Sequence, residues 1–211
     1  MDRSIQIDTF SRISRVSRET INSLIRYEQI LIKSNKTTNL IGNSTINQIW
    51  TRHFLDSYQV IDFIGENTEN LIDIGSGAGL PGIVLAIAAK EKRMSFKTYL
   101  IDKSPKKSKF LNSAISELNL NAEVINKNIF NYKMKPKNPV FIARAFKPLN
   151  LLLELMHKIS DNWKKIIIFM GKTGDRELLQ ASKIWNIEYK QRVSVTSSDS
   201  IILEINKLKK K

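Results

Sequence analysis

The chain has 211 residues and carries 34 lysines and arginines against 20 acids, a formal net charge of +14. That length suits one sizeable core. The absence of cysteine removes disulfides, thiolate nucleophiles and Cys-built zinc sites, and two histidines are too few for a His-built metal centre. The chain shows no run of ~18 consecutive apolar residues, the length a membrane-spanning helix needs. The polar, acid-bearing start Met1-Asp2-Arg3-Ser4 resembles neither a signal nor a transit peptide. A cytoplasmic monomer is the expectation. The basic excess fits a polyanionic partner, either nucleic acid or an anionic membrane face. A lysine-rich composition, with Ile and Asn also abundant, explains the same charge without any partner.

Between Ser17 and Lys33, apolar residues recur at three- and four-residue steps (Ile21, Leu24, Ile25, Ile32), which predicts a helix. A second helix is expected from Ser44 or Thr45 through Ile61, on the stripe Ile46, Ile49, Trp50, Phe54 and Ile61, with Gly65 and Asn67 ending it. From residue 70 short strands alternate with helices. Strands are expected at Leu71–Ile74, Phe96–Ile101, Glu123–Ile125, Val140–Ala143 and Lys165–Met170. Helices are expected at Pro81–Ala89, with proline in the first turn, after Ser104-Pro105, through Leu151–Ile159 and after Gly174. Two closing strands, Ile187–Val195 and Ile201–Ile205, flank the polar Thr196–Ser200. This order predicts an α/β fold, a mostly parallel sheet with helices on both faces. A helical extension over residues 1–66 packs on an α/β domain over 67–211, the two forming one unit. The tryptophans Trp50, Trp163 and Trp185 read as core or groove edges.

The first strand runs into Asp73-Ile74-Gly75-Ser76-Gly77-Ala78-Gly79-Leu80-Pro81-Gly82. Such sheets bind ligands beyond the carboxyl ends of their strands, and glycines there let a ligand approach the backbone. Gly77-x-Gly79-x-x-Gly82 satisfies the dinucleotide pattern. Asp73 argues against that ligand, because a fixed carboxylate beside a pyrophosphate repels it. S-adenosylmethionine has no phosphate; its sulfonium and ammonium both favour a carboxylate. A P-loop is excluded because no Gly-Lys-Ser/Thr follows. Asp102, ending the second strand, is placed to accept from both ribose hydroxyls or to cap the next helix. Backbone groups of Asn128 and Ile129, after the third strand, lie on the adenine side.

Four ordered motifs carry a resemblance. They are Asn39-Leu40, Arg52-His53-Phe54-Leu55-Asp56-Ser57, the turn Asp73–Gly82, and Arg144-Ala145-Phe146. Over nearly its whole length the chain resembles the bacterial 16S ribosomal RNA guanine-N7 methyltransferases of the RsmG family, also called glucose-inhibited division protein B. The resemblance implies a Rossmann-like class I S-adenosylmethionine-dependent methyltransferase acting on 16S ribosomal RNA, free or in the small subunit. It implies cofactor positions at Gly75, Leu80, Asn128, Ile129 and Arg144, joined on chemical grounds by Asp73, Gly77, Gly79 and Asp102. Arg144 is also the one residue expected to position the reacting groups. His53 and Asp56, three apart on one helix, are substrate-side candidates, as is Lys172. Two departures stand out: Asn128-Ile129-Phe130 lacks the acid common in that loop, and Ala143 replaces a serine.

Guanine N7 presents a lone pair and no proton. Its methylation requires in-line placement rather than a base, which fits a sequence with no His–acid dyad. Two alternatives stand beside this reading: a methyltransferase of another substrate, and a nonenzymatic RNA-binding relative.

Overall fold

The computed structural model describes residues 2–134, 136–146, 148–159 and 162–211. Two N-terminal helices, α1 (Arg3–Ser14) and α2 (Arg18–Asn35), begin on side-chain caps: Asp2 accepts from Ser4 N–H and Ser17 from Thr20 N–H. Glu91 holds the start of α2, accepting from Ser17 N–H and Thr20 O–H at 2.6 Å each. The uniform helix expected from Ser44 or Thr45 to Ile61 is not formed. A 3-10 segment Asn43–Gln48 leads into a π-helix Ile49–Leu55, then α3 (Asp56–Tyr58) and α4 (Ile61–Ile64). The apolar spacing suits either helix type; tertiary partners of Arg52, His53 and Asp56, described below, accompany the wider turn.

The alternating part matches the expected order. It runs β1 (Asn70–Ile74), α5 (Gly82–Glu91), β2 (Lys97–Ile101), α6 (Pro105–Leu118), β3 (Ala122–Ile125), β4 (Val140–Arg144), α7 (Leu149–Ile159), β5 (Lys165–Met170), α8 (Gly174–Ala181), β6 (Trp185–Ser194) and β7 (Ser197–Lys210). Pro81 is the cap before α5 rather than part of its first turn. The closing strands meet through a tighter turn than expected, so Ser197–Ser200 belongs to β7.

The sheet order is β3-β2-β1-β4-β5-β7-β6. The first five strands are parallel, and β7 runs antiparallel to both β5 and β6. Strand order reverses between β1 and β4, which puts a crevice at their carboxyl ends. Period-two alternation divides the β1 side chains. Leu71 enters one core with α2, the π-helix, α5 and α6, while Ile72 and Ile74 enter the other with α7 and α8. Asp73 shares the Leu71 side and is 1 % exposed.

The N-terminal segment shares the first core. Phe10, Leu24, Tyr27 and Phe54 cluster with Ile83, Val84 and Leu111. Tyr27 stacks on Phe54 at 5.4 Å, and Trp50 meets Phe54 edge-on at 5.1 Å. The buried Tyr27 hydroxyl donates to the Ala78 carbonyl, so α2 grips the glycine turn directly. Phe54→Ala removes the centre of this aromatic group and should cost about 3–5 kcal/mol. The check is a lowered urea midpoint with an unchanged m-value.

Candidate active site

The glycine turn lies at the β1–β4 switch point, but its glycines do different jobs. A Cβ on Gly79 would sit 2.5 Å from Ile83 Cδ1, and one on Gly82 would sit 2.6 Å from Asp73 Oδ2. These two glycines let α5 close on the core. Leu80 is likewise buried in the first core. Gly79 and Leu80, both expected at cofactor positions, pack into the core here and do not line the cavity at this end of the sheet. Gly75 lines that cavity, yet a Cβ there would meet Phe146 Cδ2 at 2.3 Å. Its missing side chain seats the Phe146 ring. Gly77, at φ +57°, turns its N–H onto Asp102 Oδ2 at 2.9 Å.

Asp73 lies under the turn rather than at its mouth. Its Oδ2 accepts from Gly82 N–H at 3.0 Å, the first N–H of α5, where the helix dipole favours an anion. Burial outweighs this and pushes the carboxyl up to about 7.

Asp102 follows β2 directly. Its Oδ1 accepts from Ser104 N–H at 2.8 Å while Oδ2 takes Gly77 N–H. It does not cap α6; Ser104 does. Two backbone donors therefore fix the carboxylate at the rim of a cavity of about 470 Å³. Gly75, Asp102, Asn128, Ile129 and Phe130 line it, with Ala145 and Phe146 closing one side. Asn128 is exposed and caps a 3-10 turn, accepting from Phe130 N–H, whereas Ile129 is buried. Phe130 stacks on Phe146 at 6.0 Å. The aromatic pair escaped sequence reasoning. The cavity's size falls in the range of about 300–1,000 Å³ usual for small-molecule sites.

Arg144 faces a second cavity, of about 340 Å³, on the other side of Ala145. Ala145 borders both cavities and adopts φ +50°, strained for a residue with a Cβ. Arg144 Nε pairs with Asp56 Oδ2 at 3.1 Å. One Nη donates to the Arg52 carbonyl at 2.7 Å and meets His53 Nδ1 at 3.3 Å. Because arginine only donates, His53 Nδ1 is the acceptor, so its Nε2–H donates to Thr45 Oγ1 at 2.9 Å. Burial, then the charges of Arg144 and Arg52, push His53 down to about 4, so it is neutral at physiological pH. Both of its nitrogens are engaged.

Asp56 Oδ1 accepts from Gln59 Nε2 (2.8 Å), Ser194 Oγ (3.0 Å) and Thr196 Oγ1 (2.9 Å). His53 and Asp56 are thus brought together with Arg144 as its holders. Lys172 is not brought in: it is exposed and pairs with Asp199 at 3.0 Å. Ser194, Thr196, Gln59 and Thr45 were not anticipated, since hydroxyls and amides so far apart carry no sequence pattern. Trp50 and Trp185 are buried in the two cores.

Removing Asp56 leaves the Arg144 charge enclosed without its counter-ion. Asp56→Ala should cost about 3 kcal/mol, and less when Arg144→Met is combined with it. A double-mutant cycle by chemical denaturation measures this coupling.

The comparisons with known proteins agree with this architecture. A solved structure of M. capricolum TrmK with S-adenosyl-homocysteine covers 72% of this chain and 67% of its own, at TM-score 0.54 and 18% identity. The structure of the 16S rRNA methylase RmtB covers 91% of this chain and 76% of its own, at TM-score 0.54 and 13% identity. At those identities they share the fold. A relative named ribosomal RNA small subunit methyltransferase G from Pelagibacter ubique is 38% identical over 198 residues, 93% of this chain and 92% of that protein. One of the same name from Rickettsia akari is 36% identical over 92% of this chain and 98% of its own. The family model described as rRNA small subunit methyltransferase G matches residues 20–205, and the chain belongs to that family.

Proposed function

We propose that this protein transfers a methyl group from S-adenosylmethionine to N7 of a guanine in 16S ribosomal RNA. The observation that carries the reading is Asp102, oriented by Gly77 and Ser104 N–H at the rim of a nucleoside-sized cavity. The residues present fit the cofactor. The Asp102 carboxylate retains lone pairs for both ribose hydroxyls. Asn128 and Ile129 border the same cavity, where the adenine would lie. Gly75, with Phe146 against it, lines the same cavity at the end nearest the turn, where the methionine portion would lie. Asp73, beneath, supplies negative charge across the turn to a cationic ligand. When bound, the cofactor supplies an electrophilic methyl carbon.

The chain's task is then to hold the acceptor nitrogen in line and exclude water. The neutral His53, with both nitrogens engaged, is not a base in waiting, and N7 needs none. Arg144 offers a largely buried positive charge to the second cavity, one residue from Ala145, which borders both. It is the positioning residue, and Asp56 and His53 set its direction.

The pH dependence separates binding from chemistry. With Asp73 raised to about 7 in the free protein, its carboxylate fraction grows as pH climbs through that value. A cationic ligand therefore binds more tightly above pH 7 than below, by up to about tenfold per unit on the acid side. Calorimetry should show this for S-adenosylmethionine, with a flat profile for Asp73→Asn. The single-turnover rate on saturated enzyme should change little between about pH 6.5 and 8.5. Product is read by borohydride and aniline cleavage: purified protein with cofactor should create one cleavage site in 16S RNA from a strain lacking the gene. Methylated RNA without such a site would overturn N7; no methylation of RNA or small subunits would overturn the substrate.

A further inference from the structure

We propose that Lys103, Lys107 and Lys127 form the surface on which the RNA phosphate backbone docks, an inference that rests on the RNA-substrate reading above. All three line the cavity of about 470 Å³, where Asp102 is the one acid among the described lining residues. Several lysines elsewhere have partners: Lys92 with Asp62, Lys97 with Glu123, Lys172 with Asp199 and Lys207 with Glu188. Among the described residues, the three cavity lysines have none. Local structure does not favour them either. The first turn of α6 holds Lys106 and Lys107 and no acid, against the sign of the helix dipole.

The small ligand does not explain them. S-adenosylmethionine carries a sulfonium, an ammonium and one carboxylate, a net positive charge that three lysines repel. A polyanion over the same mouth reverses that balance: its phosphates neutralise the lysines and relieve the bound cation. The exposed Phe130, stacked on Phe146 at the cavity, adds an aromatic face on which a base can lie, which favours single-stranded RNA over a lipid surface. Net charge alone does not make this argument. Lys183, Lys190 and Lys209 are exposed and lack ion pairs among the described residues, but they sit around β6 and β7 at the opposite side of the sheet from β3.

The test compares two variants of equal charge: Lys103→Gln/Lys107→Gln/Lys127→Gln, and Lys183→Gln/Lys190→Gln/Lys209→Gln. Filter binding is measured across a salt series on protein-free 16S RNA and on small subunits. The cavity variant should lose roughly tenfold or more in affinity at ~50 mM salt, and its log–log salt slope should shrink by about 0.7 per lost contact, about 2 in all. The opposite-edge variant should match wild type. Calorimetry should find S-adenosylmethionine bound at least as tightly by the cavity variant, which also shows that its fold is intact. The docking surface is overturned if wild type binds RNA and the cavity variant binds equally well, or if both variants lose affinity alike. It is overturned in favour of a membrane if the cavity variant loses only its binding to phosphatidylserine vesicles. If wild type itself neither binds nor methylates RNA, the substrate reading fails.

Discussion

An enclosed guanidinium is the constraint on which the site depends. Arg144 ends β4 with its side chain only 18% exposed, and taking that charge out of water is tolerable only with an ion pair and further acceptors. Those acceptors come from the N-terminal segment: the Asp56 carboxylate, the Arg52 carbonyl and the His53 ring. Asp56 is in turn held by Ser194 and Thr196 from the closing strands. Three distant stretches thus converge on one charge, and the π-helix at Ile49–Leu55 is the stretch that bends to meet it. Burial pulls the Arg144 pKa down, opposed first by Asp56 and then by Asp73, so the neighbouring acids keep the charge in place.

The glycine turn shows how one sequence signature serves two ends. Half of it, Gly79 and Gly82, exists so that α5 can lie close to β1 and to Asp73. The other half serves the cavity: Gly75 lines it and seats an aromatic ring, and Gly77 presents an N–H to Asp102. Asp73 completes the arrangement from inside the core, where its low exposure makes its protonation sensitive to what lies above.

Strand–helix alternation was legible because continuous apolar runs such as Ile166-Ile167-Ile168 and turn residues such as Ser104-Pro105 mark buried strands and helix starts locally. The acids at the ends of β1 and β2 were legible for the same reason: position along a strand fixes what can lie at its end. Helix α1 was not singled out. Its Ile5 and Ile13 are exposed while Gln6 is buried beside Phe10, donating to the Asn47 carbonyl, so its inward face mixes polar and apolar groups. The π-helix was read as α because the stripe Ile46, Ile49, Trp50, Phe54 fits both. Nor does any local pattern announce that Ser194 will meet Asp56 across 138 positions. The separation of Arg144 from the Gly75 cavity by Ala145 was equally hidden, since it depends on a single backbone angle.

The closing hairpin has a consequence for the order in which the protein matures. The cavity beside Asp102 is built from residues 75–146, whereas the Asp56 network needs Ser194 and Thr196 from β6 and the turn after it. During synthesis, β1 through β4 leave the ribosome well before the hairpin does. A nascent chain can therefore shape that cavity early, while Arg144 gains its full set of supports only after β7 has inserted beside β5. The full set of Arg144 supports is in this way tied to completion of the fold, and a chain that ends before the hairpin holds Asp56 without Ser194 and Thr196.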